Sequence, residues 1–106
     1  MKLTYEGQDY TLEFTRRTVE RMEEQGFSIS EAQNKPLSTL PTLFAGSFLA
    51  HHRYLKEDTI DKIFAQIPNK EKFMLNLIEM YAEPINALFD EPQGEAEKNA
   101  VWEANF

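Results

Sequence analysis

The hydrophobic period of this chain changes once, and that change bounds the folds open to it. From Lys2 to Phe14 apolar and polar residues alternate: Leu3, Tyr5, Tyr10, Leu12 and Phe14 form one apolar set around Glu6-Gly7-Gln8-Asp9. A period of two interrupted by a glycine-containing turn predicts a β-hairpin. From residue 16 onward the apolar residues return at intervals of three and four, the spacing of one helix face. Two strands alone are marginal in water, so the hairpin has to lie on the helices or pair with another chain. The expected fold class is α+β, an N-terminal β-hairpin followed by a bundle of about four helices and a flexible acidic C-terminal tail.

Thr15 is placed to cap a first helix over about 16–25, with Gly26 where a left-handed terminating glycine belongs. That helix is polar on most faces and buries Val19 and Met22, while Glu13–Arg17 and Arg16–Glu20 are spaced to pair along it. Ser28-Ile29-Ser30-Glu31 has capping-box spacing and predicts a short helical turn that ends before Lys35-Pro36. The segment 37–54 is the most apolar of the chain. Leu37, Leu40, Phe44, Ser47-Phe48 and His51 make one stripe, Leu43 and Leu49 lie on other faces, and regular helix is expected from about Thr39 because Pro41 suits only a first turn. Thr42, Gly46 and Ala50 fall at i, i+4 and i+8, a strip of small residues that predicts close packing by another backbone. Ile60, Ile63, Phe64 and Ile67 define a helix over about 58–67 with Asp58 as N-cap, stopped by Pro68. Asn69 caps a last helix over about 70–89, with Phe73, Leu77, Met80, Tyr81, Ile85 and Leu88 inward and Pro84 expected to kink or split it.

With 106 residues, one core is the expectation. A hydrophobic fraction of 42% is enough to offset the entropy of ordering, which argues against disorder for most of the chain. Eleven Lys and Arg stand against eighteen Asp and Glu, a net charge of −7, which is unfavourable for binding nucleic acid or an anionic membrane surface. No apolar run reaches the length of a membrane span, and the opening MKLTYEGQDY has no signal-peptide core, so a cytoplasmic location is expected. The charge is uneven. Asp90, Glu91, Glu95, Glu97 and Glu103 against Lys98 alone place −4 of the −7 in residues 90–106. Pro92, Gly94 and the loss of periodicity mark that stretch as a tail, leaving 1–89 as the domain.

The chain offers little to catalysis. Cysteine is absent, which removes thiolate nucleophiles, thiolate zinc sites and disulfides. There is no HExxH, no phosphate-cradling glycine loop and no GxSxG. His51-His52-Arg53 is the one conspicuous polar cluster, but adjacent helical side chains point about 100° apart and do not readily share a metal. One imidazole is expected on the core and the other at the surface near a helix C-terminus. The expectation is a non-enzymatic protein with no metal and no cofactor. The tail is less ordinary: its Trp102, the one tryptophan of the chain, and Phe106 lie four positions apart and would share a helical face, a pair of anchors suited to a groove or to the domain's own core.

Several stretches together carry a resemblance. The opening LTYEGQDYTLEFTRRTVERMEEQGF, the central KPLSTLPTLFAGSFLAHHRYL with its AHHR at residues 50–53, the MYAEPINALF helix and the acidic tail ending in WEANF resemble a family of small proteins from the tail gene cluster of siphophages and prophages of Gram-positive bacteria. That family is a domain of unknown function similar in length and layout to phage tail assembly chaperones. The resemblance implies a soluble factor in the bacterial cytoplasm that covers the long, apolar tape-measure protein, with the tail tube protein as a further partner, until the tube polymerises around it. On that reading Leu43, Phe44, Phe48, Trp102 and Phe106 are the partner-binding candidates. Two other readings stand beside it: a structural tail or neck component, forming a ring through the hairpin edge or an apolar strip, and an acidic inhibitor of a host or phage protein.

Overall fold

A two-residue turn closes the hairpin. Glu6 and Gly7 both sit at positive φ, 49° and 77°, the φ pattern of a type I′ turn, whose twist matches that of the flanking strands. In the computed structural model, which describes residues 1–91 and 100–105, β1 (Lys2–Tyr5) pairs antiparallel with β2 (Gln8–Thr11), Leu3 opposite Tyr10 and Tyr5 opposite Gln8. The turn is tighter than the expected Glu6–Asp9 connection because Gln8 and Asp9 join the ladder. There Asp9 accepts from Thr4 Oγ1 at 2.7 Å and pairs with Lys2. Tyr10, Leu12 and Phe14 point into the core as the alternation requires, and Leu3 and Tyr5 are half-buried at its edge.

Helix α1 (Arg16–Glu24) begins in a reciprocal box. Thr15 Oγ1 accepts the Thr18 amide at 3.1 Å while Thr18 Oγ1 accepts the Thr15 amide at 2.9 Å. It ends as the sequence predicts, with Gly26 at φ 90° and the amides of Gly26 and Phe27 donating to the carbonyls of Glu23 and Met22. Val19 and Met22 are its buried residues. The expected pairs Glu13–Arg17 and Arg16–Glu20 are not among the ion pairs of the described residues, and Glu13 turns to His51 instead. The predicted turn after Ser28 is a 3-10 turn, Ile29–Ala32. The Ser28 hydroxyl bonds Ser30 Oγ at 2.8 Å rather than closing a capping box.

The central apolar segment is two helices rather than one, α2 (Pro36–Gly46) and α3 (Leu49–His52). The break at Ser47-Phe48 has a specific cause. In a continuous helix the Ser47 carbonyl would accept from the His51 amide, but the Glu13 amide, arriving from the hairpin, takes it at 2.9 Å. Ser47 Oγ also donates to the Phe44 carbonyl at 2.6 Å, a local bond that competes with the helical ladder. At the other end α2 starts at Pro36, so Pro41 lies inside it rather than in its first turn. Leu37, expected on the buried stripe, is 93% exposed.

Helix α4 (Glu57–Gln66) has Lys56 at its N-cap, two residues earlier than Asp58 suggested. Glu57 and Asp58 sit in its first turn, where the dipole favours acids. It ends in extended Ile67, as the residue before a proline must. Asn69 does occupy the N-cap of α5 (Lys70–Ala87), yet at φ 51° and without a side-chain bond. Lys70 Nζ caps the end of α4 by donating to the Ile67 carbonyl at 3.0 Å. Helix α5 runs through Pro84 unsplit. The ring lacks an amide, so the Met80 carbonyl simply goes without its usual donor.

The core forms where α2 packs against α4 and α5, with α1 on α5 and the hairpin on α3. Leu12, Leu43, Phe44, Phe48, Ile63 and Leu77 are fully enclosed. Phe44 is its aromatic hub, edge-on to Phe48 and Phe73 at centroid distances of 5.1 and 5.7 Å. Among the described residues no helix is long and apolar enough to cross a membrane.

Candidate functional site

The groove expected on the central helix is filled by the protein itself. Leu43, Phe44 and Phe48 all lie at 1% exposure or less, and burying each such side chain contributes roughly 1.5–3 kcal/mol to the fold. They are core residues and present no surface to a partner. Of the tail anchors, Trp102 is 89% exposed, while Phe106 lies outside the described residues, as do residues 92–99 of the linker expected over 90–100.

The small-residue strip is divided by the break after Gly46. Thr42 and Gly46 line a cavity of about 640 Å³ between the end of α1, the 3-10 turn and the start of α4. Ala50 lines a separate groove. Close approach does occur at Gly46, but from the Met22 side chain of α1 rather than from another backbone. Thr42 is exposed and bonds back to the Ser38 carbonyl at 2.7 Å.

The two histidines diverge as adjacent helical positions should. His51 Nε2 meets Glu13 Oε1 at 2.6 Å near the surface. His52 packs edge-on against Tyr10, and its Nε2 accepts the Thr11 amide at 2.9 Å, which places its proton on Nδ1. Together they tie α3 to the outgoing end of the hairpin. Among the described residues no three His, Asp or Glu side chains converge on a point where a metal could sit. The groove beside them, about 1100 Å³, gathers Arg17, Arg21 and Arg53, none of which is in an ion pair among the described residues. Such a local basic surface on an acidic chain is the opposite of what an inhibitor presenting rows of carboxylates would need.

The surface that sequence reasoning passed over is the outer face of α5. Of the six residues expected inward, Leu77 and Tyr81 are buried and Phe73 and Met80 half-buried, but Ile85 and Leu88 face solvent. Met74, outside the expected set, is buried in their place. Leu75, at 56% exposure, Ile85 at 38% and Phe89 at 78% line the uncovered side. The signal was present: Leu75, Ile78, Ala82, Ile85 and Phe89 recur at intervals of three and four. A helix this broadly apolar has two candidate inner faces, and periodicity alone does not choose between them.

No curated protein and no solved structure matches the chain. The model of a family described as a domain of unknown function, DUF5055, matches residues 1–106, and the protein belongs to that family.

Proposed function

We propose that this protein is a non-enzymatic assembly chaperone for a phage or prophage tail, covering apolar helical segments of the tape-measure protein in the host cytoplasm before the tail tube forms. The observation that supports it is the apolar end of α5: Ile85, Leu88 and Phe89 stand in solvent on consecutive turns while the domain's own core is already complete. Uncovered apolar surface of this kind on a small domain suits association with another apolar chain. The acidic composition, −7 over 106 residues, keeps such a covered complex soluble. The resemblance to tail-cluster proteins supplies the identity of the client.

Co-expression with the tape-measure protein encoded beside it tests the proposal. The client should stay soluble only in the presence of this protein. The pair should also co-purify at both low and high salt, because apolar burial survives when the Debye length shrinks to about 3 Å at 1 M. Mass spectrometry of purified particles should find the protein absent. A client equally soluble alone, or the protein present in stoichiometric amount in virions, overturns the chaperone reading. The second result would put a structural tail component in its place.

A further inference from the structure

We infer that the outer face of α5 is a docking seam for a single amphipathic helix whose flanks are basic. This deepens the chaperone reading by assigning the contact surface and the chemistry of what fits it, and it rests on that reading only for the client's identity.

The seam is defined by spacing. Leu75, Ile78, Ala82, Ile85 and Phe89 follow one another at intervals of three, four, three and four. At 100° per residue Leu75, Ile78, Ala82 and Ile85 fall within about 80° of the helix circumference, in a line about 15 Å long, and Phe89 follows in the turn just past the helix end. That repeat is what a helix presents to another helix crossing it at a shallow angle, with the small Ala82 at the middle allowing close approach. The face is open: Leu75, Ile85 and Phe89 are exposed, and Ile78 and Ala82 are half-buried. On one side the seam borders the protein's own core through Met74 and Tyr81. On the other side it borders Lys72, Glu79, Glu83 and Asn86, all exposed, with Asp90 just beyond the helix end. Lys72 stands at the start, and the rest of the charged flank is acidic.

The charges select the occupant. A second copy packed antiparallel against this face, with Leu75 against Ile85, would set the acidic flank of one copy beside that of the other, Glu79 near Glu79, and like charges so juxtaposed disfavour the pair. A foreign helix with Lys or Arg beside its apolar stripe meets Glu79, Glu83 and Asp90 instead.

The test uses the full chain and two synthetic helices of about three heptads with the same Leu stripe, one flanked by Lys and the other by Glu. The Lys-flanked peptide should bind roughly tenfold more tightly at low salt, the ratio two or three partly exposed pairs supply. The preference should shrink at high salt, where apolar binding persists. Leu75→Glu and Ile85→Glu, each checked for native circular dichroism, should abolish binding. Glu79→Lys with Glu83→Lys touches no buried residue and should reverse the preference. Binding unchanged by the seam substitutions, or no binding of either peptide, overturns the inference. So does a stable dimer that Leu75→Glu dissociates, or a blue-shifted Trp102 emission that Leu75→Glu abolishes, since the occupant would then be a second copy or the chain's own tail. Loss of tape-measure co-purification with peptide binding intact sinks the chaperone reading alone. Co-purification that survives the seam substitutions sinks the seam alone.

Discussion

Met22 lies across Gly46: a Cβ added at residue 46 would stand 2.5 Å from Met22 Cε and 2.6 Å from its Sδ. Both residues are buried, so α1 reaches the end of α2 only because residue 46 has no side chain. Gly46→Leu should cost of order 1–3 kcal/mol. Shortening the neighbour should recover much of that loss, so the double variant with Met22→Ala should be less destabilised than the sum of the two by at least about 1 kcal/mol. Urea melts of the four proteins check this. Additive losses would mean that the two side chains do not meet. Gly46→Ala is milder, since the obstructing atoms are the far end of a flexible side chain and the helix gains up to about 1 kcal/mol in propensity.

Glu6 holds a left-handed conformation, φ 49°, next to Gly7 at φ 77°. A type I′ turn prefers Asn-Gly at these positions because Asn tolerates positive φ better than Glu does. Glu6→Asn should therefore raise stability by a few tenths of a kcal/mol, and Gly7→Ala should lower it by about 1 kcal/mol or more. Nothing lies within 4 Å of a Cβ at Gly7, so that loss would be conformational rather than steric. Thermal melts that rank the three proteins in any other order would contradict the turn.

Burial, helped by the nearby Glu23 carboxylate, raises the Tyr81 hydroxyl above its ordinary value of 10.0. The folded protein thus keeps a proton that the unfolded chain gives up from about that pH upward. This contribution to stability is complete below pH 10 and is lost as the pH rises through the folded value. Urea midpoints between pH 9 and 11.5 should fall more steeply for the wild type than for Tyr81→Phe. Parallel curves would place the hydroxyl in water.

Trp102 and Val101 are both about nine-tenths exposed, whereas the core is closed by residues up to Tyr81. Truncation after Asp90 should consequently leave the melting temperature within ~2 °C of the full chain, well under the shift that loss of 1 kcal/mol brings in a domain of this size. A larger fall would show that Trp102 stabilises the body.

Much of the local structure is determined by the sequence alone, because it is decided within a few residues. The alternation from Leu3 to Phe14 positions the hairpin. Thr15 and Gly26 bound α1, and Pro68 with Asn69 separates α4 from α5, since caps, turns and prolines act on the backbone beside them. Tertiary structure decided the rest. The helix over 37–54 breaks because the Glu13 amide, more than thirty residues away, captures the Ser47 carbonyl. Leu43, Phe44 and Phe48 become core rather than groove because the hairpin, α4 and α5 enclose them. Helix α5 is apolar over too wide an arc for its period to name the inner side. Helices α1 and α2, which pack against α5, choose Met74, Leu77 and Tyr81, leaving Leu75, Ile85 and Phe89 outside. Periodicity records that a helix is amphipathic, but only the positions of its neighbours determine which part of a broad apolar arc is covered.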